Sequence, residues 1–305
     1  MPRVSVVIPT YNCARFLGQT IDSALRQAYR DFEIIVVDDG STDDTQQVVA
    51  GYGKTIRYVY QSNQGASAAR NVALSIASGE FIAYLDADDL WIADKLSRQV
   101  EYMVAHPACG FLHTEVSVID EQNKVLHTRF NYETNRPVPQ GLCIRELLLR
   151  SHIQTLTVLE RRTAFDDAGM FDLRLPVAQD YLHWLGVVLR GYEVGYLAEP
   201  LGQYRWRAGS LMSSQRRLVE DFVRIYEIIV AEYGLEQSQG AEVMELVQAQ
   251  LYATQRQLAY LERREGSGAI ARRRLSRLIR QRPFDLKLYL DFAKSYVSRQ
   301  VAQRN

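Results

Sequence analysis

The chain has 305 residues, 47% of them hydrophobic and 24% charged, with zero formal net charge; this is the make-up of a globular protein with a core large enough for a deep site, and it excludes a disordered chain. Its three cysteines, Cys13, Cys109 and Cys143, are odd in number and lack CxxC spacing, which argues against a disulfide framework or a structural zinc site. The zero balance conceals an asymmetry. From Arg263 to Asn305 twelve basic residues face three acidic ones, so this tail is +9 and the rest of the chain is −9.

In chain order, Met1 to Asn12 holds one basic residue and a short apolar run ending at Pro9, without the longer apolar region and cleavage site of a signal peptide. It reads as a first strand. Further strands are expected at Glu33 to Val37, Ile56 to Tyr60 and Phe81 to Leu85, alternating with helices at Ala14 to Ala28, Thr42 to Tyr52, Ala66 to Ala77 and Ala93 to His106. That alternation predicts an α/β fold with a mostly parallel open sheet. The middle carries expected strands at Phe111 to Ile119, Gln154 to Glu160 and Val194 to Leu197, and beyond Ser213 the apolar spacing turns helical. The organisation is therefore read as 1–212, divided at 106/107, followed by a helical region 213–305 with a possible hinge at Glu265 to Gly268. No apolar run approaches the roughly 20 residues that span a bilayer.

Three polar loops leave the carboxyl ends of the first strands, where ligands bind in open α/β sheets. Tyr84-Leu85-Asp86-Ala87-Asp88-Asp89 crowds three acids after an apolar strand, and such mutual repulsion calls for a compensating cation. Oxygen ligands at this density suit Mg²⁺ or Mn²⁺, which take one or two carboxylates and complete their shell with water and phosphate. The alternative is an acidic loop capping the next helix, with Asp89 near its start. In Asp38-Asp39-Gly40-Ser41-Thr42-Asp43, capping accounts for Ser41, Thr42 and Asp43 and leaves the Asp38–Asp39 pair for a base N–H or a ribose hydroxyl.

Val4-Ser5-Val6-Val7-Ile8-Pro9-Thr10-Tyr11-Asn12, Val37-Asp38-Asp39-Gly40-Ser41-Thr42-Asp43, Asn63-Gln64-Gly65-Ala66-Ser67-Ala68-Ala69-Arg70-Asn71 and Asp86-Ala87-Asp88-Asp89 together resemble glycosyltransferase family 2, with its GT-A fold. The resemblance is strong over Met1 to Leu96, weaker from Gly169 to Ser210, and absent from the last 90 or so residues. It implies an inverting, metal-dependent transferase that uses a nucleotide sugar, UDP-linked by preference, in surface-polysaccharide or lipopolysaccharide assembly. Pro9, Thr10 and Tyr11 would then lie beside the base and Asp39 would bind its edge. Arg70 would lie near the nucleotide, with a solvated helix charge as the alternative, Asp86 and Ala87 would lie near the ribose or metal shell, and Asp88 would be the direct metal ligand. Gln179-Asp180 resembles the family's acceptor-side Glu-Asp pair, with Asp180 as general base and Gln in place of the usual Glu. Arg207 stands where the family would place a histidine near the diphosphate; Arg205 or Arg207 would contact phosphate there, with a salt bridge inside the fold as the alternative. His113 and His183 lack partners at metal-ligand spacing and read as structural.

The tail places Ile270, Leu275, Leu278 and Ile279 among arginines, a basic amphipathic pattern suited to an anionic membrane. A cover over the acidic body of the same chain is the competing expectation. No nucleic-acid motif is present and the body is acidic, so no nucleic-acid partner is expected. The resulting expectation is a cytoplasmic protein, peripheral on the inner face of the cell membrane, acting on a glycan or lipid-linked acceptor. Two other readings stay open: a catalytically degenerate nucleotide-binding module, favoured only by Gln179, and a nucleotidyltransferase, disfavoured by the lack of a Gly-rich basic loop after the first strand.

Overall fold

Successive residues of a strand point to opposite faces, yet in β1 (Val4–Thr10) residues of both parities are buried. A strand covered on both faces reads as a continuous apolar run, and the computed structural model shows the cover. It describes all residues except 136–137, 150–152, 208–214, 236–238 and 297–305. β1 lies between β2 (Phe32–Asp38) and β4 (Phe81–Tyr84), parallel to both, and β3 (Arg57–Tyr60) extends the parallel block beyond β2. Helices α1 (Ala14–Leu25), α2 (Thr45–Ala50), α3 (Ala66–Ile76) and α4 (Lys95–Ala105) complete the first part. Phe16, Leu17 and Ile21 of α1 and Leu96, Val100 and Met103 of α4 pack with Val4, Val6 and Ile8 of β1. The other face of these strands, Val7, Ile35 and Val37, is equally buried.

The rest of the sheet is built from β5 (Leu90–Trp91), β6 (Cys109–Ile119), β7 (Val125–His127), β8 (Leu159–Arg161) and β9 (Glu193–Arg205). The order is β3-β2-β1-β4-β8-β6-β9-β5, with β7 on β6. β8 runs antiparallel to β4 and β6, and β9 parallel to β6. A parallel half thus joins a mixed half. The strand expected at Gln154 to Glu160 is a 3-10 turn at Thr155–Thr157 followed by the short β8. The one expected at Val194 to Leu197 continues to Arg205, passing Pro200 where its register against β6 shifts; a bulge is where a strand tolerates proline. Short helices α5 (Phe130–Glu133), α6 (Ile144–Leu149) and α7 (Arg162–Ala168) precede α8 (Gln179–Leu189). All of α8 except Asp180 is buried, as a helix apolar on every side must be.

The chain divides into Met1–Ser210 and Leu211–Asn305; the expected boundary at 212/213 lies outside the described residues. The second unit contains α9 (Gln215–Glu232), α10 (Ala241–Arg264), α11 (Gly268–Gln281) and α12 (Leu286–Lys294). The expected hinge at Glu265 to Gly268 is a closed turn: Gly266 has φ +84°, and Ser267 and Gly266 donate to the carbonyls of Glu262 and Arg263. This is the glycine-terminated ending that satisfies a helix's last carbonyls.

Candidate active site

Parallel register brings the first two loops level, since Thr10 of β1 stands opposite Asp38 of β2. Side chains then stitch them together. Asn12, in the left-handed region at φ 47°, donates its N–H to Ser41 Oγ and accepts from Thr42 N at 2.7 Å. Asp43 accepts from the Ala14 and Thr45 amides. Ser41 and Thr42 therefore hold a loop rather than cap a helix, because α2 starts only at Thr45. Gly40 has φ +80°, and a Cβ there would meet the Asn63 amide at 2.8 Å, so only glycine lets the second and third loops touch.

Asp39 is buried, and its carboxylate accepts from Gln61 Nε2, Gln64 N and Gly65 N at 2.7, 2.8 and 2.7 Å. Of about four acceptor positions on a carboxylate, the loop before α3 uses three. Asp38 is likewise engaged, by Ser41 N and the Tyr58 hydroxyl. Pro9 is half-buried, Tyr11 is half exposed, and Thr10 is buried with no hydrogen-bond partner for its hydroxyl.

Each acid after β4 meets an arginine. Asp86 Oδ1 lies 2.5 Å from Arg70 Nη2, and Asp88 Oδ2 lies 2.5 Å from Arg207 Nε, in an ion pair whose N–H is not aimed along a hydrogen bond. Burial raises the Asp88 carboxyl above its ordinary range, against the pull of Arg207 and with the repulsion of Asp86. Ala87 is buried, its carbonyl accepting from the Thr20 hydroxyl. Asp89 does not cap α4, whose N-cap is Asp94. It accepts instead from the Arg205 amide at 2.7 Å, and burial pushes its carboxyl well up. Arg205 is buried too, its guanidinium donating to the carbonyls of Asp88 and Asp120 and to Asn123 Oδ1. It braces the loop and has no face left for a phosphate, whereas Arg207 is half-buried.

Arg70 is not a solvated helix charge: it is 5% exposed and joins the two halves. Its Nη1 lies 2.5 Å from the Gln179 amide oxygen, in the amide orientation that also lets Gln179 donate to the Val177 carbonyl. Asn71, the next residue of α3, makes paired hydrogen bonds with the backbone of Phe171, each 2.9 Å. Beside Gln179, Asp180 in the first turn of α8 accepts from Thr155 Oγ1 at 2.7 Å and Tyr181 N at 2.8 Å. Its carboxyl is crowded by protein yet keeps some solvent access. Burial raises its pKa, opposed by the Thr155 hydrogen bond and by Arg70.

A sequence model of Glycosyl transferase family 2 matches residues 5–165. The chain belongs to that family. The glycosyltransferase is 32% identical over 75% of its length, and 88% of the relative's, to a Bacillus subtilis protein named as a putative teichuronic acid biosynthesis glycosyltransferase, TuaG. It is 31% identical over 70% of its length, and 82% of the relative's, to Escherichia coli WfaP, named as a UDP-Glc:alpha-D-GlcNAc-diphosphoundecaprenol beta-1,3-glucosyltransferase. Among solved structures, S. aureus TarS 1-349 in complex with UDP-GlcNAc superimposes with a TM-score of 0.65 at 21% identity, over 96% of this chain and 89% of that one. Pyrobaculum calidifontis mannosyltransferase PcManGT in complex with GDP-Man and Mn2+ gives 0.62 at 20% identity, over 97% and 79%. These likenesses establish the GT-A fold.

Behind the enzyme's site lies a buried cluster that the sequence did not announce. Glu160 of β8 is fully buried, and its two carboxylate oxygens receive the Tyr84 hydroxyl and His183 Nε2, the latter at 2.8 Å. A carboxylate only accepts, so Nε2 carries the proton. His183 stacks on Phe171 at 4.6 Å, and Phe171 also lies under Arg70 at 5.9 Å. Tyr84 precedes Asp86 by two residues and His183 follows Asp180 by one helical turn, so Glu160 ties the strand carrying the acids to the helix carrying Asp180. His183 is structural, but it has a defined partner. His113 Nε2 bonds the Pro139 carbonyl, and burial lowers its pKa to about 4. The cysteines are free and buried, and burial beside Asp88 pushes the Cys13 thiol up to about 12.

Proposed function

We propose that this enzyme moves a hexosyl group from a UDP-sugar to a hydroxyl of a lipid-linked glycan in cell-surface polysaccharide assembly, inverting the anomeric centre, at the cytoplasmic face of the membrane. One observation carries the reading: the two Nη groups of Arg70 reach Asp86 and Gln179, so the candidate donor carboxylates and the candidate base Asp180 face one site. The donor and acceptor classes follow from the names of the relatives, one a UDP-glucose transferase acting on a diphosphoundecaprenol-linked sugar.

Asp86 Oδ2 and Asp88 Oδ1 lie outside their arginine pairs, and no group of three acid, cysteine or histidine side chains converges among the described residues. That donor set fits a hard divalent ion, Mn²⁺ or Mg²⁺, taking one or two carboxylates and the rest of its shell from a diphosphate. When bound, the ion would neutralise charge on the departing diphosphate. Thr10, Tyr11 and the remaining acceptor position of Asp39 would receive the base, and Arg207, once Asp88 is otherwise engaged, would be drawn to the diphosphate. Asp180 would take the proton of the acceptor hydroxyl as its oxygen bonds to the anomeric carbon and the bond to the diphosphate breaks, the electron pair leaving with the diphosphate. Attack opposite the leaving group needs no second catalytic carboxylate.

Calorimetric titration with UDP, GDP and dTDP, each with and without Mn²⁺, tests the donor side. Metal-dependent binding of UDP, lost in Asp88→Ala, is expected. Binding of none of the three would leave the family and fold standing and favour a degenerate module.

A further inference from the structure

Most of the apolar stripe expected on α11 faces inward, since Leu275 and Leu278 are buried and Ile279 is partly buried, while Ile270 is exposed. Ala271, Leu275 and Leu278 are buried in a small core with Ala259 of α10 and Leu288 of α12, and Ile279 packs against it. What α11 presents to solvent is Arg273, Arg277 and Arg280, at i, i+4 and i+7 and therefore on one face. Ile270 shares that face and is 47% exposed.

α12 is turned over. With Leu288 facing the core, Leu286, Tyr289 and Leu290 fall on the outward side at 75%, 44% and 59% exposure, and Phe284 just before the helix is 94% exposed. Lys287 and Lys294 flank this stripe and are exposed. Neighbouring cations are already matched: Arg274 with Glu262, Arg256 with Asp291, and Arg216 with Glu220 and Glu265. Arg273, Arg277, Arg280, Lys287 and Lys294 make no ion pair within 4.0 Å among the described residues, although Lys287 lies close enough to Asp285 to help lower its pKa.

We infer that this end of the helical unit is a docking surface for an anionic phospholipid bilayer, with Phe284, Leu286 and Leu290 entering the interface and the five cations meeting the headgroups. Apolar side chains flanked by basic ones are what a monolayer surface rewards. A second copy of the chain is a poorer occupant, since a two-fold contact sets a patch against itself and would bring like charges together. The inference deepens the lipid-linked-acceptor reading and gives the enzyme a place beside that acceptor, but its test needs no turnover.

Full-length protein is floated with phosphatidylcholine vesicles, with and without phosphatidylglycerol, as the parent, as Phe284→Ser/Leu286→Ser/Leu290→Ser and as Arg273→Gln/Arg277→Gln/Arg280→Gln. The parent should bind anionic vesicles and be released by salt. Each cation near such a surface contributes about fivefold in partition, so the glutamine variant should bind roughly a hundredfold more weakly, and the serine variant should lose binding to the anionic vesicles. UDP affinity should be equal in all three, which separates failure here from failure of the donor reading. A parent that ignores anionic vesicles, or variants that bind like the parent, would overturn the inference. So would a serine variant that merely dissociates a dimer, or one that unfolds, which would show the stripe covered by protein.

Discussion

Replacing Glu160 should unlatch the two halves of the catalytic unit. The side chain is fully buried and receives the Tyr84 hydroxyl and His183 Nε2–H. In Glu160→Ala both donors are left in apolar surroundings, at about 1–3 kcal/mol each, and the emptied volume adds to that. The expected loss is about 3–6 kcal/mol, a large share of the roughly 5–15 kcal/mol by which a domain is stable. Glu160→Gln keeps the shape and one acceptor; the tyrosine hydroxyl can rotate, or the imidazole can change tautomer, to meet the new NH₂, so it should lose only about 1–2 kcal/mol. Urea unfolding followed by circular dichroism reads both as a lower midpoint at unchanged slope. Because Glu160 acts through Tyr84 and His183, the glutamine variant should lose kcat while keeping its nucleotide affinity. An alanine variant within about 1 kcal/mol of the parent would refute the reasoning.

Asp180→Asn should reduce kcat by about 10²–10⁴-fold, the usual contribution of a positioned base, with UDP binding intact. Burial raises the Asp180 carboxyl, and a base must be ionised, so kcat should fall as pH drops through a value above the ordinary carboxylate range. Thr155→Val removes a hydrogen bond that favours the ionised form and should move that limb to higher pH; an unmoved limb would exclude Asp180 as its source. Gly40→Ala forces a Cβ against the Asn63 amide at φ +80°, should cost about 1–3 kcal/mol, and should weaken UDP binding more than kcat, as calorimetry and kinetics together would show. Lys95 is fully buried over the Trp91 ring with Gln99 as its hydrogen-bond partner, and burial holds its pKa well below the usual value. The unfolded chain therefore binds the proton more readily, and this group makes stability rise with pH up to about 10.4, the unfolded value. Lys95→Met should remove that slope, so that the difference between variant and parent turns against the variant as pH rises in urea titrations; a pH-independent difference would sink it.

The sequence by itself determined the parallel α/β half and the family. Strands buried on both faces must be nearly all apolar, as Ile34 to Val37 is throughout and Val4 to Ile8 is except for Ser5, whose buried hydroxyl is matched by Glu33 and the Gly79 amide, and the turns that follow need particular residues: Asn12 at positive φ, and Gly40 against Asn63. Such requirements act over a few neighbouring positions, so they stay visible in a linear text. β5, two residues long, has no period to read, and the long β9 runs past the expected end at Leu197 because its bulge accommodates Pro200.

Only the tertiary structure decided which acids and arginines meet. Asp89 looked like a helix cap and instead holds the Arg205 amide, 116 residues away. Phosphate contact was open to both Arg205 and Arg207, and burial made the first a brace and left the second beside Asp88. Glu160 drew no notice in a short strand, although it joins Tyr84, 76 residues before it, to His183, 23 residues after. The same holds for the tail, where amphipathic spacing showed that α11 had an apolar face and packing decided that most of this face was spent inside, leaving the exposed stripe to α12. Hydrogen bonds and ion pairs between distant residues have no local pattern, because the chain must fold before their partners are neighbours.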